Sequence, residues 1–512
     1  MPSPLRHILC ASNHPVDAFV FAYEVGRRAK NTNPRAPVAG IGIPREQQTN
    51  NDAGAISRTG PIGSKGSSVL NSNYGSASSL QHFNANIQHS AIPGITGGYY
   101  ERPISIWIPR SIEPLPSKLR DNPMNILYFH HFLNHTAKIL VPYDDPKSNP
   151  FRTILPQMAV RNDHLLSLLL AYSASHRARL LRQREPEMRI ALWVQDIFPA
   201  LRRALGDREQ IISNTSLATA IMLASLEIIS PTAFGYEIPW QTHLNLARDL
   251  MQRRLADLRR TSYDPDEERV CSFLWSWFAY LDVLGSLSGG APANEPSRSW
   301  VLEYATFTDV DDQYEIDCIM GFTNRCVQLL ARVSELARHC DMQRIGPDRQ
   351  TRLGWNPSPD CVRLARQLES ELRESMAQPS RPCRHVQNVE ARDRQEMVLM
   401  NEAFHLAGLV HLHSRVFGKL SAHADVQGPV QRIFSCMEYI RSGGTAETGF
   451  LFPMFTAGCN TLDEGQRTRI LGRFRSVESN GMTQVHKARR LMERVWVTGQ
   501  AWEPLLCTEF IG

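Results

Sequence analysis

The sequence predicts an all-α protein, an irregular bundle of about a dozen helices preceded by a mostly disordered N-terminal tail. Three observations indicate this. Apolar residues return every three or four positions along most of residues 124–507, which is the period of one helix face. Prolines, glycines and capping residues separate these stretches. No stretch shows the alternation of polar and apolar residues that is typical of a half-buried strand.

The first two predicted helices organise the rest of the chain. Asn125–Leu140 carries a regular apolar face, and a proline-rich break follows it. The second helix begins at Asp163, whose carboxylate is a good N-cap acceptor for a free backbone N–H. The run Leu165–Leu170 makes this helix apolar on nearly every side. We therefore expect it to be central and buried.

The later predicted helices each have an apolar face and a recognisable start or stop. Asp311 and Asp312 favour the positive N-terminal end of a helix dipole. Ser358 and Pro359 form an N-cap followed by proline at the first helical position. The predicted ranges are Glu187–Leu205, Ser213–Ile229, Pro239–Leu258, Glu267–Leu287, Asp311–Arg338, a helix through Cys361 and Leu372, Val389–Phe417, Val430–Ile440, Gln466–Phe474 and Gly481–Val497.

Residues 1–123 form the predicted tail, which precedes a helical domain at 124–507. From Asn31 to Gly98 the composition is mainly Gly, Ser, Asn, Gln and Pro, which cannot bury enough apolar surface to offset the entropy of ordering. Tyr99–Pro116 is interrupted by prolines, so we expect an extended segment that lies against the body. The tail carries twelve Lys/Arg and seven Asp/Glu, whereas the remaining residues carry 44 of each. Because the residues after position 123 carry no net charge, we expect them to bind phosphate groups weakly.

Composition places the chain among ordinary globular proteins. Hydrophobic residues make up 42% and charged residues 21% of its 512 residues. We find no secretory signal and no apolar run near the roughly 18 residues that a membrane span needs. The ten cysteines include no Cys-x-x-Cys pair, which indicates reduced thiols in an intracellular protein.

Several stretches, taken in order, resemble the fungal-specific transcription factor domain, the helical regulatory region of fungal zinc-cluster regulators. The resemblance begins with Phe-His-His-Phe-Leu-Asn-His at 129–135 and continues through Trp240 to Asp282. It is most specific at Leu451–Cys459, which has an early proline and ends in Ala-Gly-Cys, followed by Arg467 and a last helix that closes on Trp496. It spans about Met124 to Trp502.

The resemblance implies a nuclear transcription regulator that acts through protein contacts and is not an enzyme. Its partners would be transcriptional co-regulators or a related regulator, and a homodimer is one arrangement. Family members carry zinc in a six-cysteine DNA-binding head, but Cys10 is the only cysteine before Cys271. We therefore expect no cofactor, no metal site and no direct DNA binding from this chain. A scaffold that lacks the head and binds a full-length relative is an alternative.

Two groups of residues are candidate functional sites. A pocket for a hydrophobic small molecule, or simply core, is predicted from aromatic and glycine positions on two helices. Arg253, Arg254, Arg259 and Arg260 form a candidate nuclear signal or partner contact, or the solvated face of their helix. The pocket candidates are Phe273, Trp277, Phe278, Phe452, Phe455 and Gly458.

Other motifs point less directly to chemistry. Asp311-Asp312-Gln-Tyr-Glu315 on an all-α body resembles the magnesium-binding motif of terpene cyclases, so a metal-dependent lyase is the rival enzyme class. The second motif of those enzymes is not matched after Asn162-Asp163. His131 and His135 have i,i+4 spacing, and Glu402-x-x-His405 is half of a di-iron motif. We interpret both as hydrogen-bonded helix residues.

Overall fold

Helices are the dominant element of the computed structural model, which describes residues 108–207, 210–231, 239–258, 265–289, 312–352, 354–386, 389–507 and 509–512. About 71% of these residues are helical. The predicted all-α class is confirmed. The helices of the first part are α1 (Ser117–Arg120), α2 (Pro123–His131), α3 (Ala137–Ile139), α4 (Ile154–Val160), α5 (Asp163–Leu180), α6 (Glu187–Val194), α7 (Ile197–Leu205), α8 (Asn214–Ile229), α9 (Trp240–Leu258) and α10 (Pro265–Leu287).

The second part begins with the short strand β1 and contains nine further helices. Its elements are β1 (Glu315–Ile316), α11 (Asn324–Arg344), α12 (Pro359–Ala377), β2 (Arg381–Pro382), α13 (Ala391–His411), α14 (Ala424–Tyr439), α15 (Thr445–Gly449), α16 (Leu451–Asn460), α17 (Glu464–Glu478), α18 (Thr483–Thr498) and α19 (Trp502–Leu505). Single turns of 3-10 helix lie at Arg110–Ile112 and Gln210–Ile212.

Helix α5 has the central position that its leucine run predicts, but its cap differs from the prediction. Leu165 to Leu170 are fully or almost fully buried. Asn162, not Asp163, is the N-cap, and its side-chain oxygen accepts hydrogen bonds from the backbone N–H groups of His164 and Leu165. Asp163 is the first helical residue, where its charge favours the helix dipole.

The predicted helix Glu187–Leu205 is two helices, α6 and α7. Pro199 lies in the first turn of α7 and has no N–H to donate to the carbonyl of residue 195, so one continuous helix would lack that hydrogen bond. In the first turn of a helix the missing proline N–H has no cost, because N–H groups at that place have no acceptor within the helix.

The segment 312–323 is not the first turns of a helix, which corrects the prediction for Asp311–Arg338. Asp317 Oδ1 accepts hydrogen bonds from the N–H groups of Ile319 and Met320 and closes a tight turn. Gly321 has φ +81, a conformation that favours glycine. Helix α11 therefore starts only at Asn324, with Thr323 as its N-cap. Strands β1 and β2 pair in parallel, Glu315 with Arg381 and Ile316 with Pro382.

Two helices contain a π-helical segment. Phe132–Thr136 joins α2 to α3, and Leu412–Val416 extends α13. Such segments insert extra backbone into a helix and are frequent at functional sites. The second one carries Arg415, which is discussed below.

A single apolar core joins the early and late helices. Helix α8 packs on α9 and α5, α10 packs on α11, and α13 packs on α14 and α16. Ile112 and Leu119 belong to this core, as do Phe510 and Ile511 at the other end of the chain. The core therefore extends beyond the predicted range 124–507 on both sides.

Helix α10 contains the segment 266–287, which by length and composition could cross a membrane, and it is the one such helix among the described residues. This differs from the expectation that no apolar run approaches the length of a membrane span. Asp282 forms an ion pair with Arg248 of α9, and most of the segment is buried inside the structure. These contacts are those of a core helix.

Candidate ligand cleft

The aromatic residues predicted to line a pocket on α10 are core residues. Phe273 and Trp277 stack with their ring centroids 5.7 Å apart, and Phe151 meets both rings edge-on. Phe278 is fully buried. Trp277 lines a cavity of about 70 Å³. That space is far below the roughly 300 Å³ at which ligand pockets begin.

The predicted residues on α16 are buried as well, but this helix leads to a larger space. Phe452 stacks on His411 with a centroid distance of 5.3 Å, and Phe455 meets Trp502 edge-on at 5.5 Å. The C-terminal residues of α16, beginning at Cys459, line a cleft of about 680 Å³. Its size is within the range of small-molecule sites.

Four helix ends converge on this cleft. They are the C-terminal ends of α11, of the π segment after α13, of α16 and of α18, and the loops that follow them complete the walls. We call this space the C-terminal cleft. Its lining is Arg344, Gln350–Arg352, Gly354, Trp355, Ser414, Gly418–Ser421, Cys459–Leu462, Arg467, Val495, Trp496 and Gly499–Pro504.

One wall of the cleft is built from three positions of the family-like motif. Trp496 Nε1 donates a 2.8 Å hydrogen bond to the carbonyl oxygen of Gly458. The Arg467 guanidinium lies 5.2 Å from the centre of the Trp496 ring. Gly458 allows this arrangement because a Cβ there would come within 2.2 Å of Met492 Sδ and 3.0 Å of Ile470. The glycine is required by close approach and not by a positive φ.

A buried ion-pair network lies beneath the cleft. Arg415 is 2% exposed in its side chain, and its Nη2 lies 2.5 Å from Asp341 Oδ2. Arg344 lies 2.7 Å from the other oxygen of Asp341 and 3.3 Å from Glu503. Arg415 also contacts the Trp502 ring at 5.3 Å. Two cations and two carboxylates balance, so their burial leaves no net charge.

The cleft itself is basic and aromatic. Arg344, Arg352, Lys419 and Arg467 line it together with the carboxylate of Glu503. Lys419 and Arg467 also form ion pairs with Asp425 and Glu464, which are not in the lining. Glu503 Oε2 is buried and has no hydrogen-bond partner among the described residues, and burial raises the pKa of this carboxyl. An unsatisfied buried oxygen at a cleft wall marks a place where a water molecule or ligand group can donate.

Cys459 is the thiol that lines the cleft. Burial, with a further effect of the Glu503 charge, raises its pKa well above the usual value. The sulphur is therefore protonated at neutral pH and is a poor nucleophile.

The sequence motifs for metal chemistry form ordinary hydrogen-bonded clusters instead. His131 Nε2 lies 3.1 Å from His176 Nδ1, and His176 Nε2 lies 2.9 Å from the carbonyl oxygen of Asn480. Burial lowers the pKa of His135 to about 3 and that of His176 to about 4, so the rings are neutral.

The two residues of the Glu402-x-x-His405 motif have separate partners. Glu402 forms an ion pair with Arg432 at 2.5 Å, whereas His405 Nε2 lies 3.0 Å from Ser375 Oγ. Both side chains are thus engaged in contacts between helices.

The carboxylates of the lyase-like motif are paired with arginines. Asp312 lies 2.6 Å from Arg384, and Glu315 lies 2.9 Å from Arg381. Asp311 is outside the described residues. Carboxylates neutralised in this way lack the charge that a magnesium cluster requires.

The arginine group on α9 is split by burial. Arg253 is exposed, but Arg254 is 5% exposed and donates to the carbonyl of Ile212 and to Cys271 Sγ. Arg254 therefore belongs neither to a solvated face nor to an accessible signal, unlike the prediction. Arg259 and Arg260 are outside the described residues.

Comparison with known proteins identifies the family. The family model for the fungal specific transcription factor domain matches residues 127–500. The chain belongs to this family. A 162-residue stretch is 28% identical to the acriflavine sensitivity control protein acr-2 of Neurospora crassa. That stretch covers 29% of this chain and 26% of the relative, and no solved structure matches significantly.

Within the fungal specific transcription factor domain, three motif residues that are far apart in the sequence contact one another in the structure. The sequence analysis singled out Gly458, Arg467 and Trp496 separately, and the structure brings them together at one wall. It did not identify Trp355, Arg344 or Glu503, which come from distant parts of the chain. The available signal was an arginine or tryptophan near the ends of three of the four contributing helical segments, Arg344, Arg415 and Trp496.

Proposed function

We propose that this chain provides the effector-sensing and protein-contact region of a fungal transcription regulator, with the C-terminal cleft as its sensing site. The chain's family is one of transcription factors, which supports the regulatory role and a nuclear location. The observation that carries the sensing role is the 680 Å³ cleft formed where four helix ends converge. A molecule bound there would touch every one of these helices.

The lining defines the class of ligand. Trp355, Trp496 and Trp502 offer flat apolar surfaces, and exposed Leu420 and Leu462 extend them. Four cationic side chains face one carboxylate in the lining. A small, flat and largely apolar molecule with an acidic group matches this combination better than a neutral sterol does.

Ligand binding would act by changing helix packing. The cleft joins the end of α11 to the ends of α16 and α18, so a ligand that fits one arrangement of these ends stabilises that arrangement. The ligand can shift the equilibrium between the two arrangements only by the difference between its binding free energies for them. Co-regulators or a related regulator would bind the resulting surface. The chain itself would act as a homodimer or as a monomer.

Catalysis and DNA reading are not part of the proposal. Arg344 and Glu503 are engaged in one ion-pair network, and the Cys459 thiol is protonated. Both facts favour binding over bond-making. The equal numbers of cationic and anionic residues after position 123 favour DNA recognition by a part other than the helical body.

A transcription reporter tests this proposal. The full 512-residue chain is fused to a heterologous DNA-binding domain, and reporter output is measured for Leu420→Glu and Val497→Glu. Both residues are exposed, at 80% and 88%, but Leu420 lines the cleft and Val497 does not. A carboxylate in the cleft repels an acidic ligand, so we expect Leu420→Glu to change output at least about fivefold.

Val497→Glu is the matched control and should leave reporter output at the wild-type level. Equal output from both variants and wild type would contradict the sensing role. Reporter output that stays at background for the wild-type fusion and for both variants would contradict the regulatory role itself.

A further inference from the structure

Two cysteines and a histidine meet at the ends of the short parallel strands. Cys318 follows β1, and Cys383 and His385 follow β2. Their ligand atoms, two sulphurs and one ring nitrogen, all lie within 4.8 Å of one another. This is the one group among the described residues in which three such side chains come this close.

The backbone fixes this meeting point. The parallel pairing continues past β2, because the Cys383 N–H donates a 3.1 Å hydrogen bond to the Ile316 carbonyl. The turn closed by Asp317 then holds Cys318 beside the strand end. On the other side, a hydrogen bond from Val386 N–H to the Cys383 carbonyl turns the chain back. Cys383 is thus held by main-chain hydrogen bonds on both sides, and Cys318 by the turn that the Asp317 side chain closes.

We propose that Cys318, Cys383 and His385 bind one zinc ion. Zinc prefers a tetrahedron of thiolate and imidazole ligands, with ligand atoms about 3.6 to 3.8 Å apart at the usual bond lengths. The present separations need to contract by about 1 Å at most, within the reach of side-chain rotation. Because His385 is exposed, the fourth position is left to solvent.

The charges and contacts suit a divalent cation. Binding releases a proton from each thiol to solvent, and the two thiolates then neutralise the two charges of zinc. Cys318 and His385 each form a hydrogen bond with the Cys383 sulphur, so the three side chains already contact one another. Asp317 adds a neighbouring negative charge, and its Oδ2 is held by Ser276 Oγ at 2.7 Å.

Zinc at this place would clamp separate parts of the fold. The site joins the turn after β1 to the loop between β2 and α13, and Asp317 connects that turn to Ser276 on α10. A metal that binds the folded state alone raises the temperature of unfolding. This clamp does not depend on the C-terminal cleft or its ligand.

The test is metal stoichiometry of the full-length protein. The purified chain is stripped with a chelator and titrated with Zn²⁺ in the presence of a chromophoric competitor, with Co²⁺ as a spectroscopic substitute. We expect one equivalent of zinc, a thiolate-to-cobalt charge-transfer band, and a higher Tm with zinc. Cys383→Ser and His385→Gln should each lower zinc affinity at least about tenfold and remove or weaken the band.

Cys361→Ser is the matched control. Cys361 and Cys340 also form a buried hydrogen-bonded thiol pair, but they belong to no group of three ligands among the described residues. This variant should keep the zinc equivalent. His385 is exposed, so its replacement tests the site even if Cys383→Ser fails to fold.

Two results would overturn the proposal. One is a zinc stoichiometry of zero in the wild type, or a zinc affinity that stays the same in His385→Gln and Cys383→Ser. The other is a Cys318–Cys383 disulfide found by mass spectrometry of the protein purified without reductant, since that bond removes both thiolate ligands.

Discussion

The indole nitrogen of Trp496 donates a 2.8 Å hydrogen bond to the carbonyl oxygen of Gly458. This bond fastens helix α18 to the C-terminal end of α16 and sets the Trp496 ring in the cleft wall. Arg467 of α17 then lies against that ring. Three consecutive helices are therefore joined through one aromatic side chain.

Gly458→Ala should destabilise the protein. The new methyl group would collide with Met492, which is fully buried and has little room to turn aside. Overpacking of this kind costs about 1 to 3 kcal/mol. Gly472→Ala is the matched control at an exposed position of α17, where nothing lies within 4 Å of the new Cβ, and it should be neutral or slightly stabilising.

Urea denaturation of both glycine variants checks this prediction. A lower midpoint for Gly458→Ala alone agrees with the close approach at this helix crossing. Equal midpoints for the two variants would show that the crossing has room for a side chain.

Arg415→Met should destabilise the protein strongly. It removes a buried cation that contacts Asp341 and leaves the remaining charges of the network unbalanced. Breaking a buried pair in this way costs about 3 to 5 kcal/mol. Arg432→Met breaks a more exposed pair with Glu402 and should cost about 1 kcal/mol or less.

Free energies of unfolding for these two arginine variants should differ clearly. Similar losses would mean that the network beneath the cleft is no more important for stability than a surface pair.

The buried, hydrogen-bonded His176 predicts a loss of stability in mild acid. Burial lowers the pKa of folded His176 from 6.5 to about 4. Below pH 6.5 the unfolded chain binds a proton that the folded chain does not, so stability present above pH 6.5 is lost as pH falls toward 4. At pH 5 this histidine alone accounts for roughly 2 kcal/mol.

His176→Gln should therefore show a smaller fall in unfolding free energy between pH 7 and pH 5 than wild type does. His423→Gln, at an exposed ring, is the control and should follow wild type. Parallel pH profiles for wild type and His176→Gln would rule out this origin of the acid sensitivity.

The sequence predicted the fold correctly where local signals, such as helix caps, agree with the pattern of buried residues. The leucine run of α5 and the Ser358 cap of α12 were both predicted, and Ser358 does accept a hydrogen bond from Cys361 N–H. Local signals failed at 312–323, because an aspartate can cap a helix or close a turn. The choice depends on Gly321 and on pairing with residues some 65 positions away.

The cleft and the thiol cluster could not be predicted from sequence for a related reason. Both assemble side chains from segments that are far apart in the chain, and no short motif encodes their distance. The spacing Cys383-x-His385 was visible, but Cys318 joins it only through the parallel strand pair. The aromatic residues that were predicted to line a pocket or to form core are buried, and burial alone does not distinguish a pocket from a core.

The most direct test of the proposed sensing site is a fluorescence titration with 1-anilinonaphthalene-8-sulfonate, a flat apolar anion of the proposed class. The full-length wild type, Leu420→Glu and Val497→Glu are compared under the same conditions. We expect saturable binding to wild type and Val497→Glu, and a dissociation constant at least about tenfold higher for Leu420→Glu. The same dissociation constant for all three proteins would contradict the assignment of the C-terminal cleft as the sensing site.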